Sequence, residues 1–255
     1  MCTVTFIAQR NGYCLGMNRD EKLTRADGLP PTRKKMNGRA VVCPTESSGG
    51  TWIALNDSGA SLALINWYSV TKRVERSTVS RGEVVKAVGA ADSAEVVNAR
   101  LMELPLKRIN PFRLIGIFPA SGDIVEWRWN LKRLARRKAP WRTQQWISSG
   151  FDEPAAQRVR GGAFRHALQH TSAPRLSWLR KLHSSHAPHI GPFSTCMHRS
   201  DAATVSYTEI TVSARTAAMR YHRRTPCKCS PRFREGLCLR LNQSRLKGRL
   251  APANG

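Results

Sequence analysis

Acidic residues are scarce in this chain, with 17 Asp and Glu against 42 Lys and Arg over 255 residues and a formal net charge of +25. Such a field raises encounter rates with anionic partners, whether nucleic acid, lipid headgroups or acidic metabolites. The excess is uneven. Residues 1–100 hold 14 Lys and Arg against 9 Asp and Glu, and the remainder holds 28 against 8, concentrated around Arg128 to Arg142 and after Arg220. The basic runs lack the interleaved aromatics of a single-strand platform, and no nucleic-acid motif accompanies them. They read as a solvated basic surface, and no specific nucleic-acid partner is expected.

Other absences narrow the class further. No stretch approaches the roughly 18 apolar residues of a membrane-spanning helix. The N-terminus lacks the basic-then-apolar order of a secretory signal, so a cytoplasmic product is expected. The seven cysteines are odd in number and irregularly spaced, which argues against a disulfide framework and fits a reducing compartment. Cys227-Lys-Cys229 has one intervening residue, unlike a zinc-ribbon or thioredoxin pair. His183, His186 and His189 recur every third residue in a Pro-containing stretch without a fourth ligand at fixed spacing. They read as a solvated loop, and no metal is expected. Internal repeats and coiled-coil heptads are also missing.

What the chain does have is a strong opening hairpin. Asn11-Gly12 suits a type I′ turn, which needs positive φ at both central residues. The strand after it, Tyr13 to Asn18, returns Asn18-Arg19-Asp20-Glu21 to the neighbourhood of Cys2. With Met1 removed, Cys2 would carry a thiol and a free α-amine, whose ordinary pKa near ~8 makes it a usable base beside its own nucleophile. Arg19 would favour the thiolate, and Asp20 could orient the amine or steady Arg19.

The rest reads as antiparallel hairpins with helices between them. Residues 27–50, containing Pro30-Pro31 and Arg33-Lys34-Lys35, read as a connection. Thr51 to Asn56 and Ala60 to Asn66 form a second hairpin across Asp57-Ser58-Gly59. Ser80 to Glu83 has capping-box spacing, and Asp92-Ser93 opens a helix that Pro105 ends. Phe112 to Phe118 and Ile124 to Asn130 pair as strands, whereas the basic 131–141 segment reads as partly helical. Gln145 to Ser148 is a short strand, and Asp152-Glu153-Pro154 caps a helix running to about His170. Residues 171–192 read as a loop. Thr195 to Arg199, Thr204 to Val212 and Ala217 to His222 are the closing strands. The domain is expected to span 1–226, with 227–255 a basic, disordered tail. This is an α+β pattern of two sheets packed face to face with helices outside.

Six motifs in order, Met-Cys-Thr at the start, Met17-Asn-Arg-Asp-Glu21, Gly49-Gly-Thr-Trp-Ile53, Leu64-Ile-Asn-Trp67, Trp146-Ile-Ser-Ser-Gly150 and Pro192-Phe-Ser-Thr-Cys-Met-His-Arg199, resemble the NRDE family. It is also called the transport and Golgi organisation protein 2 family. That family is in turn similar to N-terminal-nucleophile hydrolases of the choloylglycine hydrolase and penicillin V acylase type.

The resemblance implies a four-layer αββα sandwich. It implies Cys2 as nucleophile, Arg19 and Asp20 beside it, and Asn66 as oxyanion donor. Asn18, Trp67, Ser148 and Arg160 (or Arg158) would contact substrate. Ser148 stands where those hydrolases carry a second oxyanion-binding Asn, and the Asn18-Arg19-Asp20 order departs from theirs. His198-Arg199 with Asp201 has no hydrolase counterpart and reads as a structural ion-pair cluster.

Two functions are therefore open. One is a cysteine amidohydrolase acting on a linear amide or thioester, with a small acyl or amphipathic anionic substrate. The other is a non-catalytic binding or trafficking protein on the same scaffold. The wider family's links to lipid handling and haem mobilisation imply, in that case, haem or an acyl ligand held transiently and without covalent attachment.

Overall fold

Period-two alternation sorts the first strands into two faces. In β1 (Cys2–Gln9), Cys2, Val4 and Phe6 point to one side, while Thr3, Thr5 and Ile7 point to the other. Both faces are buried, so each must be covered by a separate layer. The computed structural model describes residues 2–228 and 235–241.

A six-stranded antiparallel sheet contains β1, β2 (Gly12–Lys22), β10 (Gln144–Ser148), β11 (Ala202–Val212), β12 (Thr216–Arg223) and β13 (Glu235–Arg240), in the order β10-β1-β2-β11-β12-β13. A seven-stranded antiparallel sheet runs in simple chain order through β3 (Leu29–Met36), β4 (Arg39–Thr45), β5 (Ile53–Asn56), β6 (Ser61–Asn66), β7 (Phe112–Phe118), β8 (Asp123–Trp129) and β9 (Leu134–Ala139).

The sheets face each other across a core that includes Val4, Phe6, Leu15, Met17, Ile53, Ile65 and Ile115. Outside the seven-stranded sheet, α1 (Gly82–Val88) and α2 (Ala94–Met102) bury Val85, Val88, Val97 and Leu101 against Leu62, Leu114 and Trp127. Outside the six-stranded sheet lie α3 (Glu153–Gln169) and α4 (Leu176–His183), with Leu179 packed on Ile7 and Cys14. This is the expected four-layer αββα sandwich. Ser93 caps α2 by accepting from Val96 N at 3.3 Å, and Asp152 caps α3 by accepting from Ala155 N at 2.8 Å.

The opening turn differs from the sequence reading in an instructive way. Gln9 pairs with Gly12, so the turn centres on Arg10-Asn11, neither of which has positive φ. Gly12 instead takes φ +151°, and a Cβ there would lie 2.0 Å from the Val212 carbonyl oxygen. That register sets Arg19 opposite Cys2. A turn on Asn11-Gly12 would have set Glu21 there.

Other expectations are corrected. Residues 29–45 are the β3–β4 hairpin, because Pro30 and the charged residues sit on an edge strand where missing donors and solvated side chains are tolerated. The basic 134–139 segment is edge strand β9. Residues 176–183 form α4, whose apolar positions cover the sheet. The 195–199 segment makes only one bridge, His198 to Ala203. The α1 N-cap is Arg81, with no side-chain cap bond, in place of a capping box. Order also extends past residue 226, since β13 pairs with β12 from Thr216–Arg240 to Tyr221–Glu235. The remainder of the expected tail lies outside the described residues.

His183, expected in a solvated loop, is fully buried. Asn18 donates through Nδ2 to the carbonyls of His183 and Thr195, both at 2.9 Å, so its Oδ1 is left to accept from His183 Nδ1–H at 3.0 Å. His183 Nε2 then accepts from the Thr5 hydroxyl at 3.0 Å. The network closes only around a neutral imidazole. Burial pushes the His183 pKa down to about 3, with Arg160 adding to the shift. An unfolded His titrates near ~6.5. Between those values the unfolded chain binds a proton that the folded chain refuses, so this stabilisation is complete above about pH 6.5 and declines as pH falls. The urea midpoint should drop between pH 7 and 5, and His183→Gln should flatten that dependence while lowering stability at pH 7. Parallel pH profiles for the two proteins would contradict the assignment.

Candidate active site

The Cys2–Arg19 pairing opens onto a cavity of about 160 Å³ at one end of the two sheets. Cys2, Arg19, Asp20, Asn66, Leu64, Trp52 and Arg81 are among the residues lining it. Cys2, Arg19 and Asn66, all expected from sequence, therefore meet at one opening, and Asp20 borders it. The Cys2 side chain is almost wholly buried, and burial pushes its thiol pKa up, with Arg19 opposing the shift.

Arg19 sits over the Trp52 ring, its guanidinium carbon 4.6 Å from the centroid. Its Nη2 reaches Glu46 at 2.8 Å and Glu21 at 3.3 Å, and Arg25 closes a four-membered ionic ring through the same two carboxylates at 2.7 and 3.0 Å. Arg19 Nη1 is buried with no hydrogen-bond partner among the described residues.

Asp20 points the other way. One oxygen accepts from the Thr204 hydroxyl at 2.6 Å, and the other from Arg160 Nη1 at 3.0 Å in an ion pair whose side chains are both 0% exposed. Arg160 also donates to the Thr3 hydroxyl at 2.8 Å and the Pro192 carbonyl at 3.3 Å. Alternation along β2 requires this division, because Arg19 and Asp20 are adjacent and must face opposite sides. Glu21 and Glu46, rather than Asp20, steady Arg19. The Asp20 charge opposes the Cys2 thiolate.

Asn66 ends β6 and donates through Nδ2 to the Tyr68 hydroxyl at 2.8 Å, leaving one amide hydrogen for the cavity. Burial alone would raise the Tyr68 phenol. The donated hydrogen bond and nearby positive charge, including Arg81, outweigh it and hold the pKa below its ordinary value. Ser148 is opposite Cys2 on the other neighbouring strand, and its hydroxyl accepts from the Cys2 backbone nitrogen at 3.2 Å.

Three expected contacts lie elsewhere. Asn18 is fully buried on the helix side and ties β2 to α4, while Arg160 holds Asp20 beneath the sheet. Trp67 lines a second cleft of about 900 Å³ whose wall includes Arg113, Arg128, Arg137, Arg142 and Arg165.

Sequence reasoning missed Arg81 and Tyr68. Arg81 donates to the Pro111 carbonyl at 3.4 Å and has no carboxylate partner among the described residues. Burial pushes its pKa down. Neither residue belongs to a motif with recognisable chemical spacing, so only the fold brings them to Cys2.

Haem suits neither opening. The Cys2 cavity is smaller than the roughly 300–1,000 Å³ of sites that enclose a ligand of drug size. Among the described residues, the larger cleft has no His, Cys, Met or Tyr on its wall to serve as an axial ligand.

The Transport and Golgi organisation 2 family model matches residues 1–127, so the 146–150 and 192–199 motifs lie outside the matched span. None of the curated protein sequences matches the chain. Penicillin V acylase from Agrobacterium tumefaciens is similar in structure, with a TM-score of 0.52 at 12% identity over 88% of this chain and 83% of that one. A mutant conjugated bile acid hydrolase from Clostridium perfringens gives 0.58 at 9% identity over 97% and 94%. A second variant of that hydrolase gives 0.56 at 8% identity over 95% and 98%. Likeness at such identity concerns the fold. No helix among the described residues is long and apolar enough to cross a membrane. Residues 1–127 thus match the Transport and Golgi organisation 2, or NRDE, family, and the whole chain shares the αββα fold of those N-terminal-nucleophile hydrolases.

Proposed function

We propose that the protein is a cysteine N-terminal-nucleophile amidohydrolase acting on a linear amide or thioester that carries an anionic group. The observation that carries this reading is the meeting of the Cys2 thiol, the Arg19 guanidinium and the Asn66 amide at one cavity. The names of the similar structures, an acylase and a conjugated bile acid hydrolase, support an acyl substrate.

Removal of Met1 would turn the Cys2 backbone nitrogen into an α-amine, held beside the Ser148 hydroxyl at 3.2 Å. That amine takes the thiol proton as sulfur attacks the substrate carbonyl. The remaining Asn66 N–H donates to the oxyanion. Collapse expels the amine or thiol leaving group, which receives the proton from the α-ammonium. Water, deprotonated by the same amine, then hydrolyses the acyl-thioester and restores Cys2. The Arg19 charge offsets part of the burial cost of the thiolate. Arg81, unpaired among the described residues, gives the cavity a cation for an acidic substituent.

Intact-mass measurement should find Met1 absent, and an electrophilic acyl probe should label Cys2 selectively. Cys2→Ala should abolish labelling and turnover with the melting temperature unchanged, and retained turnover would remove the nucleophile. Asn66→Ala should lower kcat about 10²- to 10³-fold, the usual effect of losing an oxyanion donor. Arg81→Ala should raise KM about tenfold for an acidic amide and leave a neutral one almost unaffected. An equal effect on both substrates would argue against Arg81 as the anion contact. A processed chain unreactive at Cys2 would favour a binding role on the same scaffold.

A further inference from the structure

Away from the Cys2 cavity, four side chains with metal-ligating atoms converge. His186, Cys196, His198 and Cys227 each offer one such atom, and all four lie within 4.8 Å of one another. His186 Nε2 is 3.1 Å from His198 Nε2, which is 3.7 Å from Cys196 Sγ and 3.4 Å from Cys227 Sγ. None of the four lines the Cys2 cavity or the basic cleft. We propose that this cluster is a zinc site of Cys2His2 type that fastens the chain after α4 and the chain after β12 to the segment leading into β11.

The spacing of the atoms carries the argument. Zinc bonds of about 2.3 Å to sulfur and 2.0–2.1 Å to nitrogen, set tetrahedrally, put ligand atoms roughly 3.3 Å apart for two nitrogens and roughly 3.6 Å apart for nitrogen and sulfur. The three distances above fall close to those edges.

Hydrogen bonding accounts for the cluster poorly. A single His198 Nε2 faces an imidazole nitrogen and two sulfurs, and it carries either one proton or one lone pair, so it can form one good hydrogen bond among three neighbours. A central cation takes a lone pair from all four.

The donor set selects the metal class. Two thiolates and two imidazoles, with no carboxylate, suit a borderline-soft ion such as zinc rather than calcium or magnesium. Four protein ligands fill a tetrahedron and leave no open position, which assigns the site to structure. The frame is already fixed. Cys196 N donates to the Ser185 carbonyl at 3.0 Å, the Ser194 hydroxyl donates to the Cys196 carbonyl at 2.6 Å, and Met197 N donates to Thr204 Oγ1 at 2.8 Å. Cys196 is fully buried and the other three ligands are half-buried.

Counting neighbours in sequence could not find this set. Of the three regularly spaced histidines only His186 takes part. His183 is bound to β2 and His189 is exposed. The other ligands stand 10, 12 and 41 residues further on.

The test uses the full chain, purified without a histidine tag under reducing conditions. Elemental analysis after exhaustive dialysis should give one zinc per chain. Replacement by Co²⁺ should give the intense visible bands of a tetrahedral ion and thiolate charge transfer in the near ultraviolet. Cys196→Ser with Cys227→Ser should lose both metal and charge transfer, whereas His189→Ala and Cys238→Ser should keep them. Because the double variant could misfold, His186→Cys provides a second arm. It should retain one Co²⁺ and gain about half again as much charge-transfer intensity, from a third thiolate. Cys2→Ala should retain the metal, which separates this proposal from the hydrolase reading. Substoichiometric metal, weak octahedral bands, or a Cys196–Cys227 disulfide in its place would overturn the site.

Discussion

The fully buried ion pair between Asp20 and Arg160 constrains everything near the cavity. Two charges removed from water cost several kcal/mol each unless their remaining donors and acceptors are met. Thr3, Thr204 and the Pro192 carbonyl meet most of them. These partners come from β1, β11 and the segment before β11, so satisfying the pair locks β2 against its neighbours and α3 beneath it. A slip of β2 by one residue would turn Asp20 toward the other sheet and strand Arg160 without a counter-charge. Arg19 faces Cys2 because its neighbour cannot.

That arrangement separates two kinds of chemistry on the same strand. The side facing the second sheet carries the thiol, Arg19 over the Trp52 ring and the carboxylates that steady it. The side facing the helices carries Asn18 and Asp20, which hold α4 and α3 in place. The NRDE signature thus serves two layers at once, so its residues are not all candidates for touching a substrate.

Much of the sandwich was legible in the sequence because its signals are local. The β5–β6 hairpin follows from Asp57-Ser58-Gly59, with Gly59 at φ +77°, and α2 and α3 from their caps. The opening hairpin was legible as a hairpin but not in register, since Gly12 relieves a clash with Val212 that belongs to tertiary structure. Strands β3 and β9 were hidden because solvated edges lack apolar alternation. Helix α4 was hidden because its amphipathic stretch is short and surrounded by Ser, Pro and His. At the site, Cys2, Arg19 and Asn66 were legible as motifs. Arg81 was not, since it reaches the cavity from the start of α1. The Asp20–Arg160 pair spans 140 residues and leaves no trace in local spacing.

The two edges of the seven-stranded sheet give the cation excess a further meaning. Edge strand β3 presents Arg33, Lys34 and Lys35 to solvent, and edge strand β9 presents Arg136, Arg137 and Lys138, of which Arg136 and Lys138 pair with Glu95 and Asp123. A bare edge is a template for pairing with another chain, and a row of like charges makes such pairing repulsive. Part of the positive charge therefore acts as insulation against self-association, independently of any ligand. Neutralising those side chains would leave two sheet edges, unpaired among the described residues, without that repulsion.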